Sequence, residues 1–233
     1  MPRLILAIET SNPSAWSEGQ PRPGVAVGEA GGMGEARVIT VEDLRTDNPQ
    51  HDDLMACIDR AMTAAGASPR DLARVAVSVG PGGFTNVRIA VTTARMIAEV
   101  TGAACVPVPS AAVVARRIPA RAPFAVALAS KGDTAHVTVF SDAWHAAPGA
   151  ILSAADLPAL ATQGVTTLAA DRYLPRPMRD ASAVARITVV DPVFDPVACL
   201  EAGLDSPAAD PVALAPIYPR EPEAVTKWRA MKK

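Results

Sequence analysis

Val77 to Gly102 reads VSVGPGGFTNVRIAVTTARMIAEVTG. The β-branched residues Val75, Val77 and Val79 run into Gly80-Pro81-Gly82-Gly83, and a long segment with helical apolar spacing follows at once. Strand, glycine-rich turn, helix is an order with chemical consequences. The helix that starts near Thr85 points its unpaired N–H groups, and the positive end of its dipole, back at the turn. The glycines let the backbone take positive φ and approach another group closely, while Pro81 stiffens the path. The turn therefore fits an anion seat, a close contact with another backbone, or a tight connection with no ligand. It has neither the lysine–hydroxyl pair of a P-loop nor the GxGxxG spacing of a dinucleotide-binding turn.

Upstream, residues 4–8 read as a buried strand. Residues 24–28 and 37–41 alternate as two more, joined by the turn Gly31-Gly32-Met33-Gly34, which predicts an antiparallel meander. A helix follows over about 50–65, with Leu54, Ile58, Ala61 and Ala65 on one face and a stop at Gly66. Ser68-Pro69-Arg70-Asp71 carries a cap, a first-turn proline and an early acid ahead of the Val75–Val79 strand. The helix over 85–101 has more apolar surface than one core-facing stripe requires, and residues 104–108 form the next strand.

Downstream, Ser110 caps a short helix to Arg117. The Pro- and Arg-rich residues 116–123 mark a junction, and strands 124–128 and 136–140 pair about Lys131-Gly132-Asp133. A helix near 154–161, strands near 165–168 and 187–190, and a helix near 197–204 complete the pattern. On this order alone the chain is α/β.

The 233 residues hold one large or two small domains, and 49% hydrophobic content fits a folded globular chain. Aromatics are only 4%, so the core is built from Ala, Val, Leu, Ile and Met. A formal charge of −2 and a pI near 5.9 give no overall attraction to nucleic acid. Cys57, Cys105 and Cys199 are odd in number and widely spaced, which reads as reduced, buried thiols. The N-terminus lacks a signal peptide's apolar core, and no stretch has the length of a membrane span. A soluble, cytoplasmic protein is expected.

A search for catalytic groups yields little. His51, His136 and His145 are the histidines, and none falls in HExxH or HxxxH spacing. His51, Asp52 and Asp53 read as a solvated cluster at a helix start, where acids favour the dipole. No GxSxG occurs, and no cysteine has a histidine beside it in sequence. Lys227, Arg229, Lys232 and Lys233 make a basic tail. Met55, Met62 and Met96 suit either core filling or a soft contact surface. No catalytic residue, metal ligand or cofactor is assigned.

The string GPGGFTNVRIAVTTAR (residues 80–95) closely resembles GPGSFTGLRIGLATAK, the signature of the TsaB (YeaZ) family. LILAIETS at the N-terminus resembles that family's ILAIDTS, NPQHDDLMACID (48–59) its RHSEALLPMID, and PIYPRE (216–221) its PLYLRE. The resemblance implies an actin-like/Hsp70-like (RNase H-like) two-lobed fold with a reduced second lobe. Residues 1–110 would form the first lobe, and 111–233 the smaller second lobe with its tail.

It further implies a non-catalytic scaffold that pairs with a TsaD-like catalytic subunit making threonylcarbamoyladenosine in tRNA. A TsaE-type ATPase would join through the complex, and the chain would form a homodimer when alone. Contact with tRNA would be indirect, and no membrane would be involved. Leu54, Ile58, Met62, Val87, Val91, Arg95 and Ala98 are the expected partner interface, as part of a helix bundle. Glu9 ends the first strand where actin-like enzymes place an acid. Thr10, Ser11, Gly80, Gly82, Gly83 and Thr85 are the candidate phosphate or nucleotide contacts.

Three departures from the family stand out. The second lobe opens on Ala127-Leu128-Ala129-Ser130-Lys131 with no acid on the strand, so ATP hydrolysis is expected to be degenerate or absent. Residues 11–23 make a longer link than the family's, and Asn86 replaces a glycine. The competing readings are a degenerate actin-like ATPase, a peptidase-like enzyme, and a homodimeric interaction protein.

Overall fold

The computed structural model describes residues 3–31, 35–45, 53–119 and 123–220, with 225, 228, 229 and 231 beyond them. The calls at His51, Asp52, Lys227, Lys232 and Lys233, and the start of the helix expected over 50–65, lie outside the described residues.

β1 (Leu4–Glu9), β2 (Gly24–Ala30) and β3 (Ala36–Asp43) form the expected antiparallel meander. β4 (Leu72–Ser78) adds in parallel on the other side of β1, and β5 (Ala104–Val108) in parallel beside β4, for the order β3-β2-β1-β4-β5. The β2–β3 register jumps from Val27↔Thr40 to Gly28↔Val38, so Ile39 is an extra, bulged residue.

Two helices close one face of this sheet. α1 (Leu54–Ala64) and α2 (Phe84–Thr101) bury their inner stripes against Leu6, Ile8, Val25, Val27, Val75 and Val77. α2 stops at Gly102, whose φ of +75° reverses the chain at low cost.

α3 (Ser110–Ala115) leads into the second sheet, made of β6 (Phe124–Lys131), β7 (Thr134–Phe140), β8 (Ala150–Ser153), β9 (Thr167–Ala170) and β10 (Thr188–Val190). Its order is β10-β9-β6-β7-β8, with β6, β7 and β8 antiparallel in succession and β6, β9 and β10 parallel. Read from the other edge, this repeats the order and sense of the first sheet, with β8, β9 and β10 shorter than β3, β4 and β5. The architecture is α/β and actin-like. α4 (Leu157–Thr162) and α5 (Arg176–Val184) pack against the second sheet through Leu157, Leu160 and Met178. Between the sheets, Phe124 and Phe140 stack at 5.3 Å among Ala111, Val114 and Phe194.

α6 (Pro196–Asp205) returns to the first sheet. Ala198, Cys199, Leu200 and Ala202 close the face formed by Ile5, Ala7, Ala26, Ala76 and Val106. Alternation along each strand supplies both apolar faces, which is why an almost continuous apolar run serves here. Residues that the sequence reading assigned to the second lobe thus complete the core of the first.

α5 and β8 were not anticipated. α5 has only Met178 and Ser182 buried, so its apolar period is too sparse to read. β8 is a short, mostly exposed edge strand after a proline-glycine pair.

Candidate functional site

β1, β4 and β5 run parallel, so the loops 10–12, 79–83 and 109–110 leave from one end of the first sheet. Ligands of open α/β sheets bind at this end. Here the chain itself fills the place. The Gly83 N–H donates to the Ser11 carbonyl at 2.7 Å, and the Asn12 amide donates to Pro81 O at 3.2 Å and Ser11 Oγ at 3.0 Å. A Cβ on Gly82 would collide with that same Ser11 carbonyl. Gly80, at φ +95°, accepts from the Ser110 N–H at 2.9 Å.

Of the candidate phosphate contacts, Ser11, Gly82 and Gly83 are therefore brought together, but by a backbone clasp. Thr10 and Ser11 are buried, and Thr85 lies exposed on the first turn of α2. Of the readings the turn allowed, close approach of a second backbone is the one seen.

Glu9 is wholly buried at the end of β1. Its Oε1 accepts from the Ser11 N–H at 2.8 Å and the Ser11 hydroxyl at 2.7 Å, while Oε2 has no hydrogen-bond partner among the described residues. Burial pushes its pKa up, partly opposed by the Ser11 hydrogen bonds. Cys199 donates weakly to Ile8 O at 3.6 Å, and burial raises its thiol well above the ordinary value. Enclosed in this way, the Glu9 carboxyl is shielded from solvent.

At the start of the second lobe, the place of a second phosphate loop holds an arginine. Arg220 donates to the Ala129 carbonyl, to Thr134 O at 3.1 Å and to Thr134 Oγ1 at 2.8 Å. The same C-terminal segment donates the Ile217 N–H to Val79 O at 2.7 Å and buries Leu214 in the first core. PIYPR thus straps the glycine turn to the β6–β7 hairpin. His136, beside it, is depressed by burial and then by Arg220. Among the described residues, no group of His, Cys, Asp and Glu could hold a metal ion.

Most of the residues expected at a partner interface lie inside the monomer. Leu54, Ile58, Met62, Val87, Val91 and Ala98 all point into the monomer's own core and are at most 6% exposed. Only Arg95, half-buried, reaches the surface. The outward stripe of α2 is instead Phe84, Arg88, Thr92 and Met96, spaced four apart, with Phe84 60% and Met96 64% exposed.

Phe84 packs on Tyr218 at 5.5 Å, and the Arg88 guanidinium lies 5.0 Å over the Phe84 ring. One groove of about 370 Å³ runs between Phe84 and Thr93, and a second of about 460 Å³ between Thr92 and Val212. Met55 is likewise exposed on α1, so two of the three methionines singled out face solvent and Met62 does not. At the start of α1, Asp53 pairs with Arg60 at 2.9 Å, which holds its carboxyl below the ordinary range.

The three cysteines are free and buried, as expected. Among the described residues no helix is long and apolar enough to cross a membrane.

Comparison with known proteins gives one family model and solved structures of the same fold. Residues 49–167 match the family model described as TsaD: tRNA N6-adenosine threonylcarbamoyltransferase. No curated protein matches the chain. A Pseudomonas aeruginosa structure described as an uncharacterized protein with similarity to peptidase YEAZ superposes with a TM-score of 0.66 at 17% identity, covering 94% of this chain and 100% of that one. The YeaZ structure from Pseudomonas aeruginosa gives 0.63 at 17% identity, covering 93% and 99%.

Proposed function

This chain belongs to the TsaD family, and from that membership we propose that it is a YeaZ (TsaB)-type accessory subunit in threonylcarbamoyl modification of tRNA adenosine. It pairs with a TsaD-type catalytic subunit, reaches tRNA and a TsaE-type ATPase only through that subunit, works in the cytoplasm, and performs no bond chemistry itself.

The observation that carries this reading is the outward stripe of α2. Phe84, Arg88, Thr92 and Met96 place aromatic, basic and soft apolar side chains along one exposed helix face, with Tyr218 beside them. Such residues concentrate binding energy at protein interfaces. The enclosed Glu9 carboxyl and the self-contact of the glycine turn agree with a fold used as a support rather than as a catalyst.

The test is reconstitution of threonylcarbamoyl transfer with the cognate TsaD-type subunit and the remaining components, with and without this chain. Transfer that depends on the chain, with co-elution of the two proteins, supports the proposal. Full transfer without it overturns the proposal, and peptide or ATP hydrolysis by the chain alone replaces it with an enzymatic reading.

A further inference from the structure

Arg116 and Arg117 follow α3 directly, and the fold treats them differently. Arg117 donates to Asp195 at 2.6 Å and to Glu201 at 2.8 Å and 3.2 Å, so its charge is matched twice. The Arg116 side chain is only 6% exposed, and its Nη1 donates to two carbonyls, Ala112 O at 3.3 Å and Ala143 O at 3.2 Å.

The rest of the Arg116 guanidinium is unmatched. Its Nε is shut off from solvent with no hydrogen-bond partner among the described residues. Nη2 makes no hydrogen bond among them either, and the Asp205 carboxylate stands 3.9 Å from it. Together Nε–H and Nη2–H form one edge of the guanidinium, the two-pronged fork that a carboxylate matches. Burial strips this cation of water, which lowers its pKa, and no acid comes close enough to accept from it in return.

Arg116 lines a cleft of about 530 Å³ between α3, the end of α6 and the β7–β8 loop, with Trp144, His145, Ala202, Asp205 and Pro207. The guanidinium carbon lies 3.9 Å from the centre of the Trp144 ring, yet Trp144 is 55% exposed. Asp142 Oδ1 accepts from the Trp144 N–H at 2.8 Å and the His145 N–H at 2.9 Å, which pins the loop that carries both rings. Three incomplete groups therefore meet here. They are a guanidinium edge without an acceptor, a carboxylate whose cation is too far to donate to it, and an uncovered indole.

We propose that this cleft binds a small zwitterion, an α-amino acid with a flat apolar side chain. Its carboxylate takes the Nε–Nη2 edge of Arg116, its ammonium takes Asp205, and its side chain lies against Trp144. Asp205, with a side chain 55% exposed, turns aside to admit the carboxylate and then meets the ammonium. A bare anion fits less well, because Asp195, Glu201 and Asp205 stand against only two arginines here. The ligand must bring a positive charge along with its negative one. The volume lies in the range of small-molecule sites. None of these residues belongs to the α2 stripe, so binding here is independent of the proposed pairing with a TsaD-type subunit.

Calorimetric titration of the full chain tests the site with four probes: L-phenylalanine, 3-phenylpropanoate, phenethylamine and L-alanine. The last three lack the ammonium, the carboxylate and the ring in turn, and L-phenylalanine should bind at least about tenfold more tightly than each. Arg116→Lys keeps the charge and loses the fork, Asp205→Asn removes the ammonium's partner, and Trp144→Ala removes the indole. Each should weaken L-phenylalanine by about tenfold. Asp205 and Trp144 are exposed, so their variants report on the cleft even if circular dichroism shows Arg116→Lys to be unfolded.

No binding of L-phenylalanine up to about 10 mM, equal affinity for the probe without ammonium or the probe without carboxylate, or binding indifferent to Asp205→Asn and Trp144→Ala would each overturn the proposal.

Discussion

The carbonyl of Ser11 lies so close over Gly82 that no side chain fits between them, and the next residue's N–H donates to that carbonyl at 2.7 Å. The glycine-rich turn and the loop after β1 are thus one unit, held by backbone. Gly82→Ala is expected to lower the unfolding free energy by about 1–3 kcal/mol through overpacking. A denaturant titration checks it. An unchanged midpoint would mean the clasp yields without cost.

The two sides of α2 should respond differently to charge. Val91→Asp places an unpaired carboxylate in the core and should cost more than about 3 kcal/mol, enough to abolish cooperative melting. Met96→Asp and Arg88→Glu change exposed positions and should shift stability by less than about 0.5 kcal/mol. Those two should instead weaken capture of the TsaD-type subunit by about tenfold or more. Thermal melts and a pull-down separate the outcomes.

Glu9 gives a pH signature. Its folded pKa is raised above the ordinary 4.5, so just above that pH the folded chain keeps a proton the unfolded chain has released. Its contribution is full below pH 4.5, declines as pH rises through the raised value, and stays low beyond it. Glu9→Gln should remove this decline, so stability relative to wild type shifts in the variant's favour between pH 4.5 and neutrality. Denaturant midpoints across that range measure it. Parallel curves would contradict the assignment.

Arg220→Ala should strip the β6–β7 hairpin of three donated hydrogen bonds at Ala129 and Thr134. The expected loss is about 0.5–1.5 kcal/mol, since half-buried acceptors lose their donor. Hydrogen exchange should accelerate about tenfold in residues 129–134, while β1 keeps its protection. Equal acceleration everywhere would show the strap to be merely part of the global core.

Much of the fold could be read from residues. The strand at 104–108 and the Gly102 stop fall where the sequence put them, and the β-branched run Val75–Val79 lies largely within β4, which starts three residues earlier. α5 could not be read, since a helix that buries only Met178 and Ser182 leaves no periodic trace.

The site was legible in position and not in orientation. Of the residues chosen on the helix within 80–101, Val87, Val91 and Ala98 face the core, and the exposed stripe of Phe84, Arg88, Thr92 and Met96 was not picked out. Apolar residues on a helix serve its own core first, and the signal lay in the single aromatic Phe84 with Arg88 four residues on. Tyr218, far along the chain from Phe84, and Arg220, 91 residues beyond Ala129, meet the turn and the hairpin only through tertiary folding.

The return of α6 to the first sheet has a consequence for translation. When Val108 has left the ribosome, all five strands of that sheet have been made, but Pro196 has not. Ile5, Ala7, Ala26, Ala76 and Val106 then have no cover on their side of the nascent sheet. The first lobe must wait, sticky on one side, until residues 196–205 have emerged. A ribosome stalled after residue 110 would display an adhesive half-product, and chaperone capture should peak there and fall once α6 clears the tunnel.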